Sequence, residues 1–193
     1  MRIALLLLLA ILVAGCAQAP VRDGKAIFAI QKDRLAGLEN WSINGRFAIR
    51  YQDEGGSGLI RWVRTGDDYD LRLYDAIGRM QLRLWRESGV VRMQSRENGT
   101  QTSESAEQLM QAQIGWSLPV TALDRWARGL EAPNMSVDEY VVDGLYVRRL
   151  VQGAWQIDYS RHELVDKLWV PGLIHIQGDD ISLKVIVETW KLS

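Results

Sequence analysis

Between Trp41 and Gln94 the chain alternates apolar and polar residues in short runs separated by tight-turn signals. In the first run Trp41, Ile43, Phe47, Ile49 and Tyr51 share one face, and Ser42, Asn44, Arg46 and Arg50 share the other. A period of two is the pattern of a half-buried strand. Asp53-Glu54-Gly55-Gly56-Ser57-Gly58 reads as a turn, residues 59–64 as the returning strand, and Thr65-Gly66-Asp67-Asp68 as the next turn. Residues 69–73 and 80–84 flank a hairpin connection, residues 90–94 follow Glu87-Ser88-Gly89, and Glu97-Asn98-Gly99 is a further tight-turn signal. Connections this short demand antiparallel neighbours, because parallel strands need long crossovers.

The period changes after this meander. Ser105-Ala106-Glu107-Gln108 has capping-box spacing, and Leu109, Met110 and Ile114 form a helical stripe. Pro119 suits the first turn of a second helix with Val120, Leu123, Trp126 and Ala127 on one side, and Gly129 suits its left-handed end. A short amphipathic helix over 27–38 precedes the strands. Strands resume at 140–142, Tyr146–Gln152, 155–159, Leu173–Gln177 and 181–190. The expected fold is mainly β, an incomplete antiparallel barrel of about ten or eleven strands with helices inserted between its halves. A sheet curved that widely leaves more space than its side chains fill, so an apolar cavity is expected under the helices. A sheet packed solidly against the helices satisfies the same pattern, and periodicity alone does not choose between them.

The hairpin connection 74–80 contains an anomaly. Turn tips favour Gly, Asn, Asp and Ser, yet Tyr74-Asp75-Ala76-Ile77-Gly78-Arg79-Met80 places an isoleucine at the tip. Either Ile77 folds back onto the sheet, or it is held out for an apolar partner.

The N-terminus speaks to location. Arg2 is a short positive segment, and the apolar run from Ile3 to Val13 falls short of the roughly 20 residues a spanning helix needs. The run ends in Leu12-Val13-Ala14-Gly15-Cys16, with small residues before the only cysteine of the chain. This resembles the bacterial lipobox, which implies removal of residues 1–15 and acylation of Cys16. Two or three acyl chains, at about 0.8 kcal/mol per buried methylene, anchor durably. Ala17 is not the aspartate that holds enterobacterial lipoproteins at the inner membrane, so the expected location is the periplasmic face of the outer membrane. Residues 16–26 read as an acylated tether and 27–193 as one domain, long enough for a sizeable core.

Charge and motifs narrow the function. The formal net charge of -1 supplies no bulk field for nucleic acid. Residues 46–96 nevertheless hold ten arginines against seven acidic residues. Arg46, Arg50, Arg72 and Arg83 lie opposite the apolar faces and should project outward, where they could meet acidic groups on a partner or phosphate headgroups. His162 and His175 are far apart in sequence, and the lone cysteine offers no metal-ligand spacing. Neither a nucleophile elbow nor a phosphate loop occurs, so no enzyme activity, metal or cofactor is expected beyond the covalent lipid on Cys16. The paired aspartates at 67–68 and 179–180 precede strands, where local turn bonding accounts for them.

Several stretches together resemble the LolB family of outer-membrane lipoprotein receptors. They are the lipobox at Cys16, Trp41-Ser42-Ile43-Asn44-Gly45-Arg46-Phe47-Ala48-Ile49, Gly58 to Trp62, and Ile77-Gly78. Gly115-Trp116-Ser117-Leu118-Pro119-Val120, the run Leu123 to Gly129, Trp155 to Tyr159, Pro171 and Trp190 complete the set, in order along the mature chain. The resemblance implies a helical lid over an apolar cavity, which tips the cavity question towards yes. It implies receipt of acylated lipoprotein cargo from a periplasmic carrier of the LolA type, insertion into outer-membrane phospholipid, and action as a monomer. The alternative is an anchored binding protein for a free lipid or other apolar ligand. It also implies that Ile77 contacts membrane or cargo, although the common family form at this loop is Pro-Leu-Gly and this chain has Ala76-Ile77-Gly78. The expected cavity wall is Ile43, Phe47, Ile49, Trp62, Leu71, Leu73, Leu82, Leu84, Trp155, Ile157 and Leu183, with Leu109, Leu123 and Trp126 under the lid.

Overall fold

The computed structural model describes residues 24–193. The expected leader, its cleavage site and the acylated Cys16 lie outside the described residues. The chain opens with α1 (Gly24–Ala36), so the last three residues assigned to the tether, 24–26, belong to a helix. Six strands follow: β1 (Asn40–Tyr51), β2 (Glu54–Thr65), β3 (Asp68–Tyr74), β4 (Met80–Glu87), β5 (Val90–Ser95) and β6 (Gly99–Ser103). Two helices, α2 (Ala106–Ile114) and α3 (Val120–Ala127), separate them from β7 (Val137–Asp143), β8 (Tyr146–Gln152) and β9 (Trp155–Ser160). A small ribbon, β10 (Glu163–Val165) and β11 (Leu168–Val170), precedes β12 (Leu173–Gln177) and β13 (Ile181–Leu192).

Eleven strands form one antiparallel sheet in the order β6-β5-β4-β3-β2-β1-β13-β12-β9-β8-β7. The last strand lies beside the first, so β1 and β13 join two meanders into one surface. The outermost strands, β6 and β7, do not meet, and the barrel stays open. Free edges invite foreign strands, and β7 answers with Asp138, Glu139 and Asp143 and with register shifts on either side of Val141.

Bulges bend the sheet where side chains would obstruct it. Register shifts at Asn44/Gly45 between β1 and β13, where a Cβ on Gly45 would lie 2.1 Å from the Ile186 carbonyl oxygen. Gly58 similarly approaches the Tyr74 carbonyl, 1.9 Å from a built Cβ. This explains a departure from the sequence reading: residues 54–58 extend β2 and do not turn, because Gly55 and Gly58 serve close strand approach. The ribbon β10–β11 also escaped the pattern. Its turn places Asp166 and Lys167 at φ 47 and 67, a hairpin geometry normally announced by glycine or asparagine.

The helices are fastened by specific polar contacts. Ser105 caps α2 by accepting the Gln108 amide at 3.3 Å, and Gly115 ends the helix at φ 78. The N-terminus of α3 has no cap of its own. Instead Glu107 on α2 accepts the Val120 amide at 2.8 Å, which ties the two helices together. Arg128, after α3, is 1% exposed and donates to the Leu35 carbonyl at 2.7 Å, the Leu38 carbonyl at 3.2 Å and Asp124 at 2.8 Å. Its guanidinium thus satisfies a carbonyl in the last turn of α1 and one just beyond it, groups that an unassisted helix end leaves bare. Burial lowers its pKa, and the Asp124 carboxylate opposes that.

Candidate functional site

The concave face of β1–β4, with β12 and β13, encloses an apolar cavity of about 860 Å³, roofed by α2, α3 and the loop between them. That volume lies in the upper part of the roughly 300–1,000 Å³ range of ligand pockets. Ile43, Phe47, Ile49, Trp62, Leu71, Leu73, Leu82, Leu84 and Leu183 line it. Phe47, Ile49, Leu71, Leu73 and Leu82 are only half-buried although they point inward, because they face space rather than other side chains.

Two residues expected in the wall stand elsewhere. Trp155 and Ile157 lie on β9, where the concave side is filled, and neither borders the cavity. Ile157 is fully buried, and Trp155 packs against Trp126 with ring centroids 5.8 Å apart. The lid divides in the same way. Leu123 borders the cavity, whereas Trp126 is fully buried and donates its indole N–H to Gln152 at 2.8 Å. Gln152 is itself sealed from solvent, accepts the Ala132 amide, and donates to the Ala132 and Met135 carbonyls, so all its bonding capacity is used there. Leu109 turns into the packed core, and it is Met110, Gln113 and Ile114 that α2 presents to the cavity.

The sequence reading did not name Ile60, Ile174, Ile176 and Val185, which also line the cavity. Their signal was available: each sits two residues from another inward residue on its strand. Trp116 was not foreseeable as a wall residue, because it belongs to the loop between α2 and α3, where no period applies. It spans the gap to Tyr51, with ring centroids 6.0 Å apart. Polar lining residues gather at one end: Glu54, Gln81, Ser95, Arg96, Glu97 and Asn98 come from the β1–β2, β3–β4 and β5–β6 connections or next to them. The cavity therefore has an apolar floor and a polar mouth.

Ile77 projects from that same end and is 74% exposed. Its loop is held by Asp75, whose carboxylate accepts the amides of Ile77 at 3.1 Å and Arg79 at 2.9 Å. The Arg79 guanidinium at 2.7 Å and the Gln81 amide at 2.9 Å complete its partners. The Arg79 backbone bond is foremost in holding the Asp75 carboxyl below the usual carboxylate range. Asp75 thus supplies stiffness without a proline, and Gly78 at φ 81 completes the turn.

Neither histidine enters the cavity. His162 stacks on Tyr146 at 4.1 Å, and burial pushes its pKa down despite a bond with the Val147 backbone. His175 lies 3.1 Å from Ser182 on the convex side, but the neighbouring carboxylate of Asp158 is engaged by Arg149 and Gln156. Among the described residues, no cluster of three or more His, Cys, Asp or Glu is placed to hold a metal, and no helix is long and apolar enough to cross a membrane.

Comparison with known proteins places this architecture. The family model described as "Outer membrane lipoprotein LolB" matches residues 39–190. The chain belongs to the LolB family. An outer-membrane lipoprotein LolB from Pseudomonas fluorescens is 36% identical over 186 residues, covering 93% of this chain and 90% of that protein. A LolB from Pseudomonas aeruginosa is 32% identical over 186 residues, covering 93% and 91%. Among solved structures, a LolA superfamily protein from Nitrosomonas europaea superposes with a TM-score of 0.51 at 8% identity, over 88% of this chain and 93% of that one. A DUF1329 family protein from Desulfovibrio piger gives 0.56 at 10% identity, over 91% and 94%. At such low identity the likeness is one of fold alone.

Proposed function

We infer that this protein is an outer-membrane lipoprotein receptor, which accepts acylated lipoproteins from a periplasmic carrier of the LolA type and inserts them into the membrane. The single observation that supports this best is a large apolar cavity with a polar mouth in a chain of the LolB family. Acyl chains fill the apolar part, while the peptide of the cargo stays at the polar end. The protein works as a monomer anchored through acylated Cys16 on the periplasmic face.

Handover requires no nucleotide if each step runs downhill. One greasy cavity offers an acyl chain much the same burial as another, so direction comes from the cost of opening each cavity. A carrier that must break more contacts to open binds its cargo less tightly and donates. Leu71, Leu73 and Leu82 already stand half-buried around empty space, so little must be displaced before acyl chains enter. At the membrane, Ile77 reaches the acyl region from a loop held by Asp75. Burying one such side chain contributes roughly 1.5–3 kcal/mol, enough to orient the mouth without anchoring the protein.

The test uses a carrier loaded with radiolabelled lipoprotein and receptor lacking its anchor through Cys16→Ala and removal of residues 1–15. Label should pass to the receptor. Ile77→Glu should accept label normally and then fail to deliver it to membranes, with unfolding midpoint unchanged because the residue is exposed. Retention of label on the carrier, while an apolar fluorescent probe still enters the cavity, would identify a free-lipid binder instead.

A further inference from the structure

The convex face of the sheet beside the Ile77 loop is ordered in bands. Nearest the loop, Leu59 pairs with Tyr74 and Tyr74 with Met80 across β2, β3 and β4. All three face outward, and Leu59 and Met80 are 40% and 36% exposed. Further along the strands, two residues on from Leu59 and Tyr74 and three on from Met80 across a register shift, Arg61 stands directly opposite Arg72, and Arg72 opposite Arg83. Adjacent strands lie roughly 4.8 Å apart, so three guanidinium stems form a ladder across the face. Like charges directly opposite one another disfavour a sheet. One carboxylate relieves the ladder: Asp70 accepts from Arg72 at 3.0 and 2.6 Å and from Arg83 at 3.1 and 2.8 Å. Arg61 is exposed and has no carboxylate within ion-pair distance among the described residues. The row therefore keeps a surplus of positive charge. Beside it, Trp85 lies under Arg83, the guanidinium carbon 4.3 Å from the ring centroid.

We propose that this convex face, from Ile77 through the Leu59–Tyr74–Met80 band to the Arg61–Arg72–Arg83 row, is a membrane-docking surface whose arginines bind the phosphates of anionic phospholipids. The proposal rests on the insertion reading for Ile77 and extends it from one side chain to an oriented face. The order of the bands favours a bilayer over an acidic protein. An apolar tip, an apolar band and then a cationic row follow the depth profile of a lipid leaflet, from acyl chains out to phosphate. Rows two residues apart along a strand are separated by roughly 7 Å, comparable with the 5–10 Å to which interfacial elements bury. Trp85 beside the arginine row fits the headgroup level, where amphipathic aromatic rings settle. Docked in this way, the polar cavity mouth, which opens at the same end as Ile77, faces the leaflet that receives the cargo.

The experiment measures sedimentation of residues 17–193, which retain every described residue, with phosphatidylcholine vesicles with or without phosphatidylglycerol. Arg61 is the informative position, because its replacement breaks no ion pair. Neutralising one arginine near an anionic surface weakens partition about fivefold. Arg61→Gln should show that loss on phosphatidylglycerol vesicles and none on phosphatidylcholine alone, and Arg61→Lys should restore binding. Arg61→Gln combined with Arg83→Gln should lose a second such factor, with circular dichroism confirming an intact fold. Raising salt should erase the difference between wild type and Arg61→Gln. The proposal is overturned if Arg61→Gln and Arg61→Glu both bind anionic vesicles like wild type. It is equally overturned if these variants slow only uptake from the carrier, which would make the arginine row a protein contact. Ile77→Glu separates the two readings: if it alone weakens binding to both vesicle types, insertion by the tip stands and the arginine row falls.

Discussion

On β8 and β9, Leu150 and Ile157 are fully buried, whereas on β3 and β4 Leu71, Leu73 and Leu82 remain half-buried on the same concave side of the sheet. The strands alternate alike in both halves. What differs is what lies above them. Over β8 and β9 sit Trp126 and Leu130, met by Trp155 and the Gln152 network from the strands themselves, with Arg128 fastening α1 and α3 behind them. Over β1–β4 the helices stand off, and a cavity remains. One half thus acts as a packed scaffold and the other as a container. A container open to acyl chains needs such a scaffold, because an empty apolar cavity forfeits dispersion contacts that must be compensated elsewhere.

Truncation offers the strongest way to break this comparison. Ile157→Ala should cost about 2–5 kcal/mol in urea unfolding, as for a fully packed side chain. Leu73→Ala should cost only about 1 kcal/mol, since much of its surface is not covered in the empty protein. Equal losses would mean that both halves are packed alike. Enlargement should reverse the asymmetry. Leu82→Trp should leave stability nearly unchanged while reducing uptake of an apolar probe severalfold, whereas Leu150→Trp should destabilise by about 1–3 kcal/mol through overpacking. The smallest effect concerns pH. His162 lies in the packed half with its pKa depressed by burial, so the unfolded chain binds its proton more readily. Stability should therefore fall as pH drops below about 6.5, the unfolded value, and stop falling below the depressed folded value. His162→Phe, which preserves a ring against Tyr146, should flatten that slope in denaturant titrations across the same range.

The comparison also shows which features were readable along the chain. Alternation located nearly every strand, and the spacing at Ser105 and the glycine at 129 marked helix ends that the structure retains. Nine wall residues could be named because a two-residue period assigns each to a face. Trp155 and Ile157 have that period as well, and they were misplaced because a face does not reveal what covers it. Gly55 and Gly58 read as part of a turn, since a glycine serving strand approach looks the same in sequence as one serving a bend. The β10–β11 ribbon was missed because Asp166 and Lys167 adopt positive φ without the usual turn residues.

By itself the sequence determined the antiparallel meander, the inserted helices, and the placement of an isoleucine at the tip of a hairpin. These are local properties, written in the period, turn chemistry and composition of neighbouring residues. Tertiary structure alone decided that β13 returns to β1, that one half is filled while the other stays hollow, and that the arginines at 61, 72 and 83 stand in one row. Each of these depends on pairing or coverage between residues distant in the chain, and the free energy of such contacts has no signature in any single segment.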